Sequence, residues 1–333
     1  KYRDALNVRS LDRAASEIEE AAKYGISFIG RTEKEYPAPL NECEDGPAGI
    51  YIRSDFPDDC FQNQKDFISI VGTRSVSDYG KDWCRRIVEA LARTGKNPVI
   101  VSGLAYGTDI TAHIAALDCG LSTIAVMATG AESVYPSVHR RYAARIASEK
   151  GSALISDYPL HTAAIPVNFV RRNRIIAGLG KATILIESRH RGGGLITARQ
   201  AFSYDRDVYA LPGRADDPLS EGCNAMIRSG TAIPIVSEKN LVESLGYGFK
   251  RKREFDIESA VSCYGKSHER DTVDKIARIL LLIKKNRRLS MQELSEMTGY
   301  GYRTVAELTG ILESDGVISV DLMQRCTIDA GKR

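Results

Sequence analysis

Between residues 67 and 236 the chain repeats one pattern: a short apolar run, a turn or glycine-rich loop, then a stretch of helical character. The apolar runs lie at 67–71, 98–101, 123–128, 153–155, 182–186, 207–211 and 232–236, each rich in Val, Ile or Ala. Helix-compatible stretches at 79–93, 108–117, 138–150, 169–179, 195–204 and 223–229 separate them. Short, continuously apolar strands are buried on both faces, and alternation with helices builds a mainly parallel sheet covered on both sides. The expected class is therefore α/β, with a Rossmann-like sheet whose alternating part occupies residues 67–245.

The flanks read differently. Leu6, Ala14, Ile18 and Ala21 form a rough helical stripe, so residues 1–24 read as the remnant of an N-terminal helical domain. Lys1 is not a start methionine, and the sequence is expected to begin inside a longer protein. Tyr36-Pro37, Asp45-Gly46-Pro47 and Phe56-Pro57 punctuate residues 25–66, an extended lead-in with a short strand at Gly49–Arg53. Residues 246–270 open with Lys250-Arg251-Lys252-Arg253 and show no clear period, so they are expected to be a linker. Beyond it, Val273, Ile276, Ile279, Leu280 and Ile283 mark an amphipathic helix. Ser290 with Glu293 has capping-box spacing for a second helix, and a third is expected over Tyr302–Ser314. Asp315-Gly316 then turns the chain into two short strands, so residues 271–333 describe a small C-terminal winged-helix domain.

Composition removes several function classes. Lys and Arg number 46 against 43 Asp and Glu, a net of +3, so any affinity for nucleic acid must come from local clusters. The seven cysteines form no C-x-x-C pair and none lies near a histidine at ligand spacing, which argues against a metal site and a disulfide framework. No signal peptide and no run of 18 apolar residues is present, so a cytoplasmic protein with no membrane partner is expected.

Ligands of open parallel sheets collect at the carboxyl ends of strands, near the switch in strand order. After the first run comes Gly72-Thr73-Arg74-Ser75, in which glycine admits close backbone approach and Arg74 offers a fork for phosphate. After the second comes a small-residue loop, Ser102-Gly103-Leu104-Ala105-Tyr106-Gly107-Thr108-Asp109, with His113 one turn further on. After 182–186 comes Glu187, then Arg189-His190-Arg191-Gly192-Gly193-Gly194, an anion nest opening a helix. Asn168-Phe169-Val170-Arg171-Arg172-Asn173-Arg174 sets three arginines beside one aromatic, the pairing that holds single strands through phosphates and base stacking. On a helix Arg171 and Arg174 share a face that Arg172 does not. Neither a G-x-G-x-x-G fingerprint after the first strand nor a G-x-x-x-x-G-K-[ST] loop occurs, so no nucleotide cofactor is expected.

Ile70-Val71-Gly72-Thr73-Arg74, Ser102 to Asp109 with His113, Arg172-Asn173-Arg174-Ile175-Ile176-Ala177-Gly178, Leu195-Ile196-Thr197-Ala198 and Leu211-Pro212-Gly213 together resemble the DprA family, also called Smf. The resemblance runs in order from about residue 25 to 245. It implies an extended Rossmann fold over 25–245, a homodimer formed through that domain, single-stranded DNA binding, and loading of the RecA recombinase during natural transformation without catalysis. In this resemblance Gly72 and Arg74 fall on the first DNA-contacting motif, Phe169, Arg172, Asn173 and Arg174 on the second, and Gly193, Gly194 and Thr197 on the third. With their loop neighbours Ser75, Gly103 and Arg171 these are the candidate DNA-contacting residues. Ile165-Pro166-Val167 stands where the family commonly has a lysine or histidine, and Arg171 is placed to compensate.

Two rival readings remain. Related Rossmann-like proteins release nucleobases with a G-G-x-G-T-x-x-E motif; here the stretch from Gly192 runs into Gln200, without the general acid/base, and nothing pairs with Glu187 or Asp109. The other is a winged-helix regulator. Residues 271–333 hold ten Lys/Arg and nine Asp/Glu, a net of +1, and Tyr302–Ser314 carries one cation, Arg303, against Glu307 and Glu313. A major-groove reader presents more positive charge.

Overall fold

The apolar runs become strands, and the chain between them coils into helices as the periodicity requires. The computed structural model describes residues 8–61, 66–248, 257–265, 268–286, 289–321 and 323–328. It divides into two compact units, residues 1–250 and 251–333. In the first, α1 (Val8–Lys23), β1 (Ile26–Gly30), α2 (Ala38–Asn41) and β2 (Gly49–Arg53) precede β3 (Phe67–Val71) and α3 (Asp78–Arg93). Then come β4 (Val99–Ser102), α4 (Thr108–Asp118), β5 (Thr123–Val126), α5 (Arg140–Ser148), β6 (Ala153–Ser156) and α6 (Pro166–Leu179). The unit closes with β7 (Ala182–Leu185), α7 (Gly193–Ser203), β8 (Asp207–Ala210), α8 (Glu221–Arg228), β9 (Ile233–Pro234) and α9 (Glu238–Ser244).

The nine strands form one sheet in the order β1-β2-β6-β5-β4-β3-β7-β8-β9. From β6 to β9 all pairings are parallel, while β1 pairs with β2, and β2 with β6, in antiparallel fashion. All five residues of β3 are buried. Its alternate residues serve two cores: Ile68 and Ile70 pack with Ile87 and Leu91 of α3, whereas Phe67 and Val71 pack with Ile175 and Leu179 of α6. Full burial of each such isoleucine is worth roughly 1.5–3 kcal/mol. From β3 the chain winds outward to β6 and then returns to lay β7 on the other side of β3. The switch in strand order therefore falls at β3, flanked by β4 and β7.

Two boundaries differ from the sequence expectation. Residues 8–23 pack within the first unit rather than standing apart from it: Ala21 of α1 is fully buried in a cluster with Ile26, Tyr51 and Leu160, and Glu17 accepts hydrogen bonds from the Tyr51 hydroxyl (3.2 Å) and the Leu160 amide (2.7 Å). The expected linker also shortens. Tyr247 is buried in the first unit's core, and α10 (Ile257–Tyr264) occupies part of the expected stretch. Its Ile257, Val261 and Tyr264, at helical spacing, pack into the second unit's core. Lys250–Arg253 fall outside the described residues.

The second unit continues with α11 (Arg270–Lys285), β10 (Leu289–Ser290), α12 (Met291–Thr298), α13 (Tyr302–Ser314), β11 (Ile318–Val320) and β12 (Arg325–Ile328). Ser290 and Glu293 form the reciprocal capping box, and β12 lies between β10 and β11 in a small antiparallel sheet. Three helices and this hairpin are a winged helix. No described helix is long and apolar enough to cross a membrane.

Candidate nucleic-acid interface

The loops leaving β3 and β7, with the first turns of α6 and α7, enclose a groove of 680 Å³ at the switch point, and the loop after β4 adds Ala105. Four arginines line it, Arg74, Arg172, Arg189 and Arg191, against one carboxylate, Asp109. Two glycines bring the loops together. A Cβ on Gly194 would lie 2.7 Å from the Cα of Gly72, and one on Gly72 would lie 2.4 Å from Thr108 Oγ1. Backbone thus packs directly on backbone where the β3 and β7 loops meet. Thr108 ties in the β4 loop, its amide and hydroxyl both donating to the Thr73 carbonyl at 3.2 Å.

Two of the helices that start beside the groove, α3 and α7, have different N-termini. At α3, Ser77 caps the Gly80 amide, and the buried Glu187 carboxylate accepts from the Ser77 amide (2.9 Å) and hydroxyl (2.5 Å). The positive end of α3 is already occupied, so the first loop offers Arg74 rather than free helix amides. At α7 the N-cap is Gly192 and no side chain caps the first turn. Gly193 is exposed with open space around it, so this end remains available to an anion.

Phe169, on the first turns of α6, packs edge to face with Tyr135 (centroids 5.3 Å apart), and the Arg74 guanidinium sits 5.3 Å from its ring centroid. Cation–π contact at such a site is worth about 0.5–1 kcal/mol. A base stacking on Phe169 is worth roughly 1–3 kcal/mol.

The arginine cluster is divided between two cavities. Arg172 is 3% exposed and forms the floor of the groove. One guanidinium nitrogen donates to the carbonyls of Gly103 (2.8 Å) and Val126, and Nε has no partner among the described residues. Gly103 packs on that guanidinium so closely that a Cβ would fall 2.4 Å from it. Burial lowers the Arg172 pKa to about 10, partly offset by Asp109, so it stays cationic at neutral pH. Arg171 and Arg174 line a second cavity of 580 Å³, where Arg174 is ion-paired with the largely buried Asp157. Burial pushes the Asp157 carboxyl up, against the pull of Arg174.

Of the sequence candidates, Gly72, Arg74, Phe169, Arg172, Asn173, Gly193, Gly194 and Thr197 line the groove. Arg171 and Arg174 line its neighbour. Gly103 does not reach the groove: its amide donates to Asp109 (3.1 Å) and its Cα lies against Arg172. Ser75 is exposed outside the groove lining, its amide turned to Thr73 Oγ1 at 3.2 Å. Arg189, Arg191 and Tyr135 were not among the candidates. The arginines flank the glycine nest and were legible there; Tyr135 lies in a loop with no sequence signal.

Asp109 and His113, one turn apart on α4, hydrogen-bond to different partners. Asp109 accepts from the Gly103 and Ala105 amides, and burial pushes its carboxyl up against the pull of Arg172. His113 is fully buried, its Nδ1 2.7 Å from a Thr123 hydroxyl that itself donates to Ile100. Nδ1 is then the donor, and burial lowers the imidazole pKa to about 3. Among the described residues no cluster of His, Cys, Asp or Glu could hold a metal ion.

The fold and the groove define a class: Rossmann-like proteins with an anion-receiving crevice at the switch point of a doubly wound sheet. Residues 27–246 match the DNA recombination-mediator protein A family, and the chain belongs to that family. Residues 274–319 match a winged helix-turn-helix DNA-binding family. The chain is 37% identical over 229 residues to Protein Smf of Synechocystis and 39% over 214 residues to Protein Smf of Escherichia coli, covering 69% and 64% of this chain. These matches span only 56% and 55% of the relatives' lengths. Among solved structures it resembles DNA processing protein A (DprA) from Streptococcus pneumoniae, with 31% identity and a TM-score of 0.63 over 72% of this chain and 78% of that one. A second is DNA processing protein A from Helicobacter pylori, described by its single-stranded DNA binding mode, with 27% identity and a TM-score of 0.59 over 67% and 97%.

Proposed function

We propose that this chain binds single-stranded DNA in the switch-point groove as a recombination mediator, protecting incoming strands and passing them to a RecA recombinase during natural transformation. One observation carries the reading: cationic side chains, an uncapped helix N-terminus and an aromatic ring converge on one groove. Phosphates lie against Arg74, Arg189 and Arg191 and on the first turn of α7, while a base stacks on Phe169. Arg172 supplies positive potential from below. A duplex is excluded because its bases are already paired and its backbone is stiff. No chemical step is assigned, because Asp109 and Glu187 are both spent on loop hydrogen bonds. A homodimer through this domain, which the family resemblance implies, would present two grooves to one strand and gain avidity.

The test is fluorescence anisotropy of a labelled oligo-dT strand over a salt series, with unlabelled duplex as competitor. Three phosphate contacts from the exposed arginines give a log–log salt slope of about −2 for a single strand. Salt-insensitive binding, or competition by duplex as effective as by single strand, refutes the proposal.

A further inference from the structure

The second cavity is divided from the groove by Val170 and Ile196, which line both spaces. Each is apolar and substantially exposed, at 48% and 41%. Single exposed apolar residues need no explanation, but two forming the sill between two cavities provide a surface for a planar apolar ligand to cross. The two sides differ in charge. The groove has a formal surplus of arginines, whereas beyond the sill Arg171 and Arg174 are matched by Asp45 and Asp157. A phosphate gains strongly from the first environment and nothing net from the second. A neutral, hydrogen-bonding ring finds its partners in the second. Gln200 donates its amide to the Tyr204 hydroxyl (3.1 Å), and its amide oxygen has no partner among the described residues. Tyr158 adds an aromatic wall, and 580 Å³ lies within the range of small-molecule pockets.

We infer that this chamber is a base-binding subsite. A nucleobase of the strand whose phosphates occupy the groove leaves the stack, crosses the Val170–Ile196 sill and lodges beside Tyr158 and Gln200. The inference rests on the strand-binding reading above. It gives single strands a second advantage over duplex, since unstacking a base is least costly where it has no pairing partner.

The experiment compares two labelled strands of equal length, oligo-dT and a strand built of abasic spacers, bound to the unaltered protein, to Tyr158→Ala and to Gln200→Trp. The first substitution removes the chamber's aromatic wall and the second fills the chamber from α7; neither residue lines the groove, and melting temperatures establish that each variant is folded. Loss of one stacked base weakens oligo-dT binding about fivefold or more. The abasic strand, having nothing to insert, binds all three proteins equally. Equal loss on both strands would make the chamber part of the phosphate track and overturn the inference. So would undiminished oligo-dT binding by both folded variants, which leaves the strand-binding reading intact. If the unaltered protein binds neither strand, both fall together.

Discussion

Arg172→Leu removes a guanidinium that is 3% exposed, bonded to two backbone carbonyls and set beside the buried Asp109. Leucine fills much of the space but returns none of these interactions. Leaving two buried carbonyls without their donor and the buried Asp109 without the neighbouring positive charge costs about 3–5 kcal/mol, the range for deleting one member of a buried charged network. For a unit of this size that lowers the melting temperature by roughly 6–20 °C. The deficit should also depend on pH. Without Arg172 the Asp109 carboxyl is raised further above its unfolded value, so its cost is full when ionised and fades as pH falls toward that raised value. Thermal unfolding at pH 7 and pH 5 reads this directly, with Arg172→Lys, which keeps the charge but not the fork, falling between. A melting temperature unchanged at pH 7, with a salt slope shallower by one contact, would show that Arg172 acts as a phosphate ligand and refute the argument from burial.

Arg74→Ala should do the reverse: the side chain is exposed, so stability stays within about 0.5 kcal/mol, while the salt slope of strand binding shallows by about 0.7–1 for every sequence tested. His113 has a pKa lowered by burial to about 3, so stability is full above its unfolded value near 6.5 and is lost as pH falls through that window. Between pH 7 and 5 this amounts to about 2 kcal/mol, and His113→Gln, though less stable at pH 7, should show a flatter decline in urea titrations. Gly194→Ala places a methyl against Gly72 and should destabilise by about 1–3 kcal/mol and weaken strand binding together; a stable variant with full affinity would show that the loop contact is dispensable.

The sheet was legible because Phe67–Val71 and its companions are too short and too continuously apolar to be anything but strands buried on both faces. The antiparallel β1 was not, since Ile26–Gly30 is brief and its pairing with β2 is a tertiary fact. The site was legible as three glycine loops and an arginine cluster, yet the placement of each arginine was not. Helical spacing separates Arg172 from Arg171 and Arg174, but only packing decides which face turns inward. Here the floor must hold Gly103 and Asp109, and Arg172 meets both. The first loop makes the same point: a helix N-terminus follows it, but Glu187, over a hundred residues downstream, accepts from the Ser77 amide and hydroxyl that cap that helix. The isolated look of α1 and of residues 257–264 had the same origin, because partners distant in sequence supply the contacts that fold them.

The clamp between Glu187 and Ser77 joins the loop after β3 to the end of β7, so the two loops that bank the groove are fastened to each other in the free protein. The conformational cost of binding then falls on the polymer rather than on the protein. Strands whose bases stack strongly on one another must be straightened and unstacked to follow a fixed channel, whereas oligo-dT conforms at little cost. The groove would thus prefer limp strands to stiff ones, a selectivity set by chain mechanics alone.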